Sequence, residues 1–205
     1  MRQAFLGYTT RSLLVCVVLG AFTAAVLHLA RFIGMLLLAV APWLGSPSAL
    51  IPWFAFIIVA ALLVQRPGAA VLTALIGTVA GVGAMSLMAG VVVEAVFLVG
   101  RAVRRRRRGA IAPVGDRAEL WLAVTAGILT GGMSYATLFT IQEFLALPAG
   151  LIVLGLVVRI VAGILYGWLA FAVVRGLLRA GFDPGGPRRA RRLESTTSPS
   201  AGSPR

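Results

Sequence analysis

The sequence predicts an all-α fold: a polytopic membrane protein with six transmembrane helices and both termini in the cytoplasm. Three observations lead there. Charged residues make up only 12% of the 205 residues while 60% are hydrophobic, and the mean hydropathy is +0.97. A water-soluble domain carries about 25% charged residues, so this chain has too few polar groups to cover a surface in water. The apolar residues come in runs close to the ~20 residues that a spanning helix needs. The 19 basic residues are all arginine, and most fall in alternate connecting segments, the asymmetry that places arginine on the cytoplasmic side.

Along the chain, the first span is expected at 10–31, closing on His28 and Arg31. Arg2 and Arg11 precede it as they would a leader, but the run is long enough to span and more spans follow, so it reads as a retained helix. The next apolar piece, 32–44, is short and closes on Pro42, Gly45, Ser46 and Pro47. Runs of that length are re-entrant or interfacial more often than spanning, and a loop or half-helix is expected. A second span, 49–65, stops at the turn signal Arg66-Pro67-Gly68. From Ala69 to Arg101 the lone interior charge is Glu94. One helix over that stretch would be ~50 Å long against a ~30 Å hydrocarbon core. Gly77, Gly81, Gly83 and Gly90 supply a break near 84–86, giving spans 69–83 and 86–103.

The segment 101–118, with Arg104–Arg108, Gly109, Pro113 and Gly115, reads as a polar loop. Spans 119–142 and 149–175 follow, separated by Gln142, Glu143 and Pro148. The transmembrane domain is thus expected over 1–180. The Pro/Gly/Ser/Arg-rich 181–205 has no apolar periodicity and reads as a disordered cytoplasmic tail. With the N-terminus inside, the cytoplasmic segments collect Arg2, Arg11, Arg66, the 101–108 block, Arg117 and the C-terminal group, whereas the outer segments hold Arg31. An odd number of spans would spoil that asymmetry.

The net charge of +13 raises nucleic-acid binding, which needs clustered arginine. Here the arginines are not interleaved with aromatics and lie between apolar runs, so the lipid bilayer is the expected partner and nucleic acid is not. One cysteine, Cys16, and one histidine, His28, allow no disulfide framework, metal site or nucleophile–base pair. No phosphate-binding loop motif is present. No catalytic residue, metal or cofactor is expected, the chain does not read as an enzyme, and any ATP hydrolysis would belong to another polypeptide.

Ionisable residues within spans are costly and point to function by default. Glu94 and Arg159 both fall near mid-depth of their expected spans, where an opposite-charge pair would offset the desolvation of each. Such a pair would either clamp two helices or floor a ligand cavity. Trp53 and Phe54 in the second span and Tyr135 in the fifth lie in the expected outer halves. Together with the two charges they would suit a flat, polar heteroaromatic ligand, although an interfacial aromatic belt explains Trp43 and Trp121 and would also accommodate Trp53. His28 reads as a snorkelling interfacial residue. Small residues at four-residue spacing, Gly20/Ala24, Ala21/Ala25, Gly77/Gly81, Gly127/Gly131 and Gly163/Gly167, permit close helix contact within this chain or with another.

Several of these segments resemble a known family. Arg66-Pro67-Gly68-Ala69-Ala70 after the Trp53-Phe54 helix is similar to the basic-Pro-Gly-Ala turn of the substrate-binding subunits, or S components, of energy-coupling-factor (ECF) transporters. Glu94-Ala95-Val96-Phe97 before the basic loop resembles the fourth helix of the YkoE-like group of S components. Val158-Arg159-Ile160-Val161-Ala162-Gly163 and Val174-Arg175-Gly176-Leu177-Leu178 resemble its sixth. The similarity covers about 9–182. The resemblance implies an S-component-like six-helix bundle that binds a vitamin or vitamin precursor of the thiamine or hydroxymethylpyrimidine type in a cavity near the outer surface. Trp53, Phe54, Glu94, Tyr135 and Arg159 would then be the substrate-binding residues. It also implies a transmembrane T component and two ATPase subunits as partners, docked through Gly20, Ala21, Ala24 and Ala25, and residence in the plasma membrane. The competing expectation is a non-transporting membrane scaffold whose working part is the polybasic 101–108 segment on anionic lipid.

Overall fold

A computed structural model describes residues 8–38, 51–108, 116–140 and 142–182. All regular structure among them is helical: α1 (Thr10–Leu38), α2 (Ala55–Val64), α3 (Ala69–Gly77), α4 (Ala84–Arg108), α5 (Arg117–Ala136), the single turn α6 (Gln142–Leu145) and α7 (Ala149–Arg179). A π-turn, Thr78–Val82, joins α3 to α4, and a 3₁₀ turn, Thr137–Thr140, extends α5.

Four of these helices, α1, α4, α5 and α7, are long and apolar enough to cross a membrane. All four expose large apolar side chains, among them Leu14, Phe22, Val91, Leu129, Val157 and Leu165. A surface of that kind is stable against lipid tails and not against water. The chain is a membrane protein with several apolar helices.

Where spans 49–65 and 69–83 are expected, two shorter apolar helices lie between α1 and α4. Helix α2 has 10 residues and α3 has 9; at 1.5 Å per residue neither crosses a ~30 Å core by itself. Pro52 delays the start of α2, and the Arg66-Pro67-Gly68 turn ends it early, with Gln65 at φ 49° and Gly68 at φ 88°. Every residue of α2 but Phe56 is buried. It is apolar all round because α1, α3, α4, α5 and α7 surround it.

Helix α1 runs on to Leu38, into the piece expected as a loop; the remainder of 32–44 lies outside the described residues, as do most of the tail and the middle of the 101–118 segment. Helix α4 likewise continues to Arg108 through the arginines expected to begin a loop. The break between the third and fourth helices falls at Ala80–Gly83, slightly ahead of the expected 84–86, where Gly81 (φ 89°) and Gly83 (φ 87°) take left-handed conformations open to glycine.

Helices α5 and α7 form the tightest contact. A Cβ on Gly131 would lie 2.8 Å from the Arg159 carbonyl oxygen, and Gly127, Gly163 and Gly167 have facing backbone at still closer range. Without a hydrophobic drive between helices in lipid, such glycine seams hold helices by van der Waals contact. The bundle has two distinct ends. One gathers the start of α1, the end of α4, the start of α5 and the end of α7, with the Arg11 guanidinium 5.0 Å above the Phe182 ring; it is called here the arginine end. The opposite end carries the α3–α4 break, the start of α2 and the start of α7.

Candidate functional site

The expected Glu94–Arg159 pair does not form. Glu94 accepts hydrogen bonds from the backbone N–H of Gly68 at 2.7 Å and of Ala70 at 3.0 Å. The short α2–α3 hairpin explains this. Its turn lies beside Glu94, so the first N–H groups of α3 meet the carboxylate. A helix start carries partial positive charge and orphan donors, and a carboxylate satisfies both. Tyr8 completes the arrangement by donating to the Pro67 carbonyl at 2.7 Å. Burial first, then the nearby Cys16 thiol and Glu94 carboxylate, push the Tyr8 phenol up to about 12.

Near the end of α4, Glu119 is 2% exposed and holds two arginines: Arg101 Nη2 at 3.1 Å and Arg104 Nη1 at 3.6 Å. Arg101 also donates to the Ala61 carbonyl at 3.0 Å and lies 4.9 Å from the Phe97 ring centroid, and Arg104 donates to the Ala118 carbonyl. This network was missed in the sequence because Glu119 stands at the start of a span, where a carboxylate reads as solvated.

Toward the opposite end, α2, α5 and α7 bring together a second set of polar and aromatic groups. Arg159, 3% exposed, donates from Nη1 to the Ser134 hydroxyl at 2.6 Å. Ser134 passes its own proton to the Gly131 carbonyl at 3.0 Å, leaving its lone pair to orient the guanidinium. Tyr166, two turns further along α7, packs edge-on against Phe54 at 5.5 Å, and Phe54 packs in turn against Trp53 at 5.5 Å. Trp53 is 2% exposed. Tyr135 donates to the Ile152 carbonyl and sits in a cluster with Phe139 and Phe144 that fastens α6 to α5 and α7.

Of the five site residues expected from the sequence, Trp53, Phe54 and Arg159 thus share one region with Ser134 and Tyr166. Tyr135 borders it, and Glu94 belongs to the α3 cap. Ser134 and Tyr166 carried no signal of their own in the sequence. The spacing of Tyr166 seven residues after Arg159, on one face of a helix, was the available clue.

This arrangement sits in a recognisable frame. The model superposes on a crystal structure of an S-component of an ECF transporter with a TM-score of 0.70 and 21% identity, over 95% of this chain and 100% of that one. The fold is that of an ECF S component. No protein-family profile and no curated protein matches the chain by sequence, so the likeness rests on the S-component fold alone.

The expected docking residues divide within that fold. Gly20 and Ala24 are buried; Gly20 lies against α3, where an added Cβ would come within 2.8 Å of the Thr73 carbonyl oxygen and of Ile76. Ala21 and Ala25 are exposed on the other side of α1. His28 and Arg31 meet the α3–α4 break, His28 Nε2 lying 3.1 Å from the Ala80 carbonyl and Arg31 Nη1 donating to the Gly81 carbonyl at 3.1 Å. His28, exposed on α1, thus contacts the backbone of the break.

Proposed function

We propose that the chain is the substrate-binding membrane subunit of an ECF-type importer, taking up a vitamin or vitamin precursor. The observation that carries this reading is the S-component fold over nearly the whole chain, and the region of buried Trp53, Phe54 and Arg159 with half-buried Tyr166 is its aromatic, polar part. In this reading the arginine end is cytoplasmic, in keeping with the arginine asymmetry of the sequence, both termini are cytoplasmic, and the protein resides in the plasma membrane. Its partners are a transmembrane T component and two ATPase subunits. Ala21 and Ala25, exposed on α1, are the small residues through which docking occurs, Gly20 being already used against α3 and Ala24 buried.

A scaffold built on the polybasic segment draws less support, because Arg101 and Arg104 are engaged by Glu119 within the chain. Co-expression with a T component and two ATPases tests the transport reading. A stable complex carrying one copy of this chain, together with thermal stabilisation of the isolated subunit by a vitamin-like compound, is the expected result. Binding at a hundredfold excess over Kd adds about 2.7 kcal/mol to apparent stability. Purification of the chain alone, with no stabilisation across such compounds, overturns it.

A further inference from the structure

The α5–α7 pair carries, at its arginine end, a patch that the rest of the bundle leaves uncovered. Trp121 on α5 and Trp168 on α7 are 67% and 57% exposed. Arg117 and Arg175 are exposed as well. Unlike Arg101 and Arg104, neither has a carboxylate partner among the described residues; Arg175 lies 5.8 Å from the centroid of the Phe171 ring on its own helix.

The glycine seam sets these four residues in register. Gly127 faces Gly163 and Ala123 faces Gly167, so the two helices run antiparallel. Trp121 lies just beyond Ala123 toward the arginine end, and Trp168 just beyond Gly167. At 1.5 Å per residue the two tryptophans therefore agree in depth to about 2 Å, and Arg117 and Arg175 follow about 6 and 10 Å further out. Bearings agree too. At 3.6 residues per turn, Arg117 and Trp121 stand about a quarter to a third of a turn from Gly127, and Trp168 and Arg175 about a third of a turn from Gly163. The sense of rotation is the same, and on antiparallel helices that face one another it leads to one side of the pair. Glu119, which faces α4, stands on the opposite side of α5.

The patch is thus layered by depth, with indoles inside and guanidinium groups outside. Indoles favour the headgroup level of a bilayer, and arginines lay their stems on apolar surface while the charge reaches outward. A guanidinium matches phosphate oxygens with a fork of donors. A phospholipid has the same order, acyl chains and then phosphate, whereas a soluble anion would make no use of the tryptophans. Among the residues whose side chains are described, no carboxylate is exposed to oppose an anion. We propose that this side of the α5–α7 pair binds an anionic phospholipid, its phosphate accepting from Arg117 and Arg175 and its glycerol region and acyl chains lying along Trp121 and Trp168. The seam holds the helices close enough for two long side chains, at depths about 3 Å apart, to meet one headgroup. The site belongs to the isolated chain and does not depend on the transport reading.

The test uses the full chain in detergent micelles doped with phosphatidylglycerol or phosphatidylcholine of identical acyl chains, with retained lipid counted by native mass spectrometry. Each arginine near an anionic surface contributes about fivefold, so phosphatidylglycerol should be held about 25-fold more tightly. Arg117→Gln and Arg175→Gln should each reduce that preference about fivefold. Arg66→Gln and Arg106→Gln remove the same charge from exposed positions on other elements and should leave it unchanged. Trp121→Leu should weaken both lipids and keep their ratio. Equal retention of the two lipids overturns the proposal, and that comparison needs no variant to fold. Equal losses in all four arginine variants overturn it by showing a diffuse attraction to net charge. Displacement of the lipid by glycerol phosphate assigns the two arginines to a soluble phosphate instead. Unchanged retention with loss of the T-component complex in the Arg117/Arg175 double variant gives this side to a protein partner.

Discussion

The carboxylates on the arginine side of the bundle and the donors on the opposite side are buried to similar degrees and handled in opposite ways. Glu94 and Glu119 are both satisfied, one by two backbone amides and the other by two guanidinium groups. On the other side Trp53 and Thr130 keep polar atoms without a partner in the protein. A charge in a low-dielectric interior persists only where partners offset its desolvation, so the satisfied acids read as parts of the scaffold. An unsatisfied donor weakens a scaffold, and Gln65 Nε2 near the α2–α3 turn is a further one. The comparison marks Glu94 and Glu119 as residues that hold the bundle, a role that residue type alone does not reveal.

The sharpest way to break the contrast is Glu119→Gln. Removing that charge leaves Arg101 and Arg104 facing one another at the helix ends. Breaking a buried pair costs about 3–5 kcal/mol; since both arginines are partly exposed, about 3 kcal/mol is expected, read from unfolding in detergent. An unchanged stability would place these charges in solvent and remove the distinction between the two sides. Glu94→Gln should cost less, about 2 kcal/mol, as a charge-assisted acceptor for two amides becomes a neutral one. It should lower stability while leaving ligand affinity intact. Weakened binding at full stability would instead restore Glu94 to the ligand site.

That second variant also marks how far the sequence could be read. The membrane class, the helix boundaries near Arg117 and Ala149, and the glycine break before α4 follow from apolar run length and from residues that tolerate positive φ, and these are local properties. The role of Glu94 is not local. Spacing along α4 placed it in the middle of a span, but its partner depended on α2 and α3 being too short to carry their turn past it. Pro52 and the turn at 66–68 shorten the hairpin, and the depth at which it stops is set by packing against five helices. Arg159 was legible as a buried charge within a span but not in its partner, because the Ser134 hydroxyl it meets lies on α5 across the glycine seam. Thr130 was beyond reach, and so was the unmet hydrogen bond of Trp53, because a missing partner is a property of three-dimensional surroundings.

A smaller effect is expected at the α3–α4 break. Gly81→Ala forces an L side chain into φ 89°, which costs about 1–2 kcal/mol, and His28→Leu removes the side chain beside the Ala80 carbonyl at about 1 kcal/mol. If the two substitutions act on one element, their combined effect in a double-mutant cycle will differ from the sum by more than about 0.5 kcal/mol. Strict additivity would show that α1 merely touches the break and does not hold it.

The mildest test concerns Tyr8, which ties the start of α1 to the α2–α3 turn. Its phenol is neutral when protonated, and the folded protein raises its pKa from the ordinary 10.0 to about 12. Folding therefore favours the protonated form. The associated stabilisation is fully present below pH 10, the value of the unfolded chain, and is lost as pH rises through 10 toward 12, because the unfolded state then releases a proton that the folded state retains. Tyr8→Phe should lower stability slightly at neutral pH by removing the hydrogen bond to Pro67, and it should flatten the alkaline decline between pH 10 and 12. The informative quantity is the difference between the two melting curves at each pH. A difference that stays constant from pH 8 to 12 would mean that Tyr8 is solvated and that the carboxylate cap on α3 stands without it.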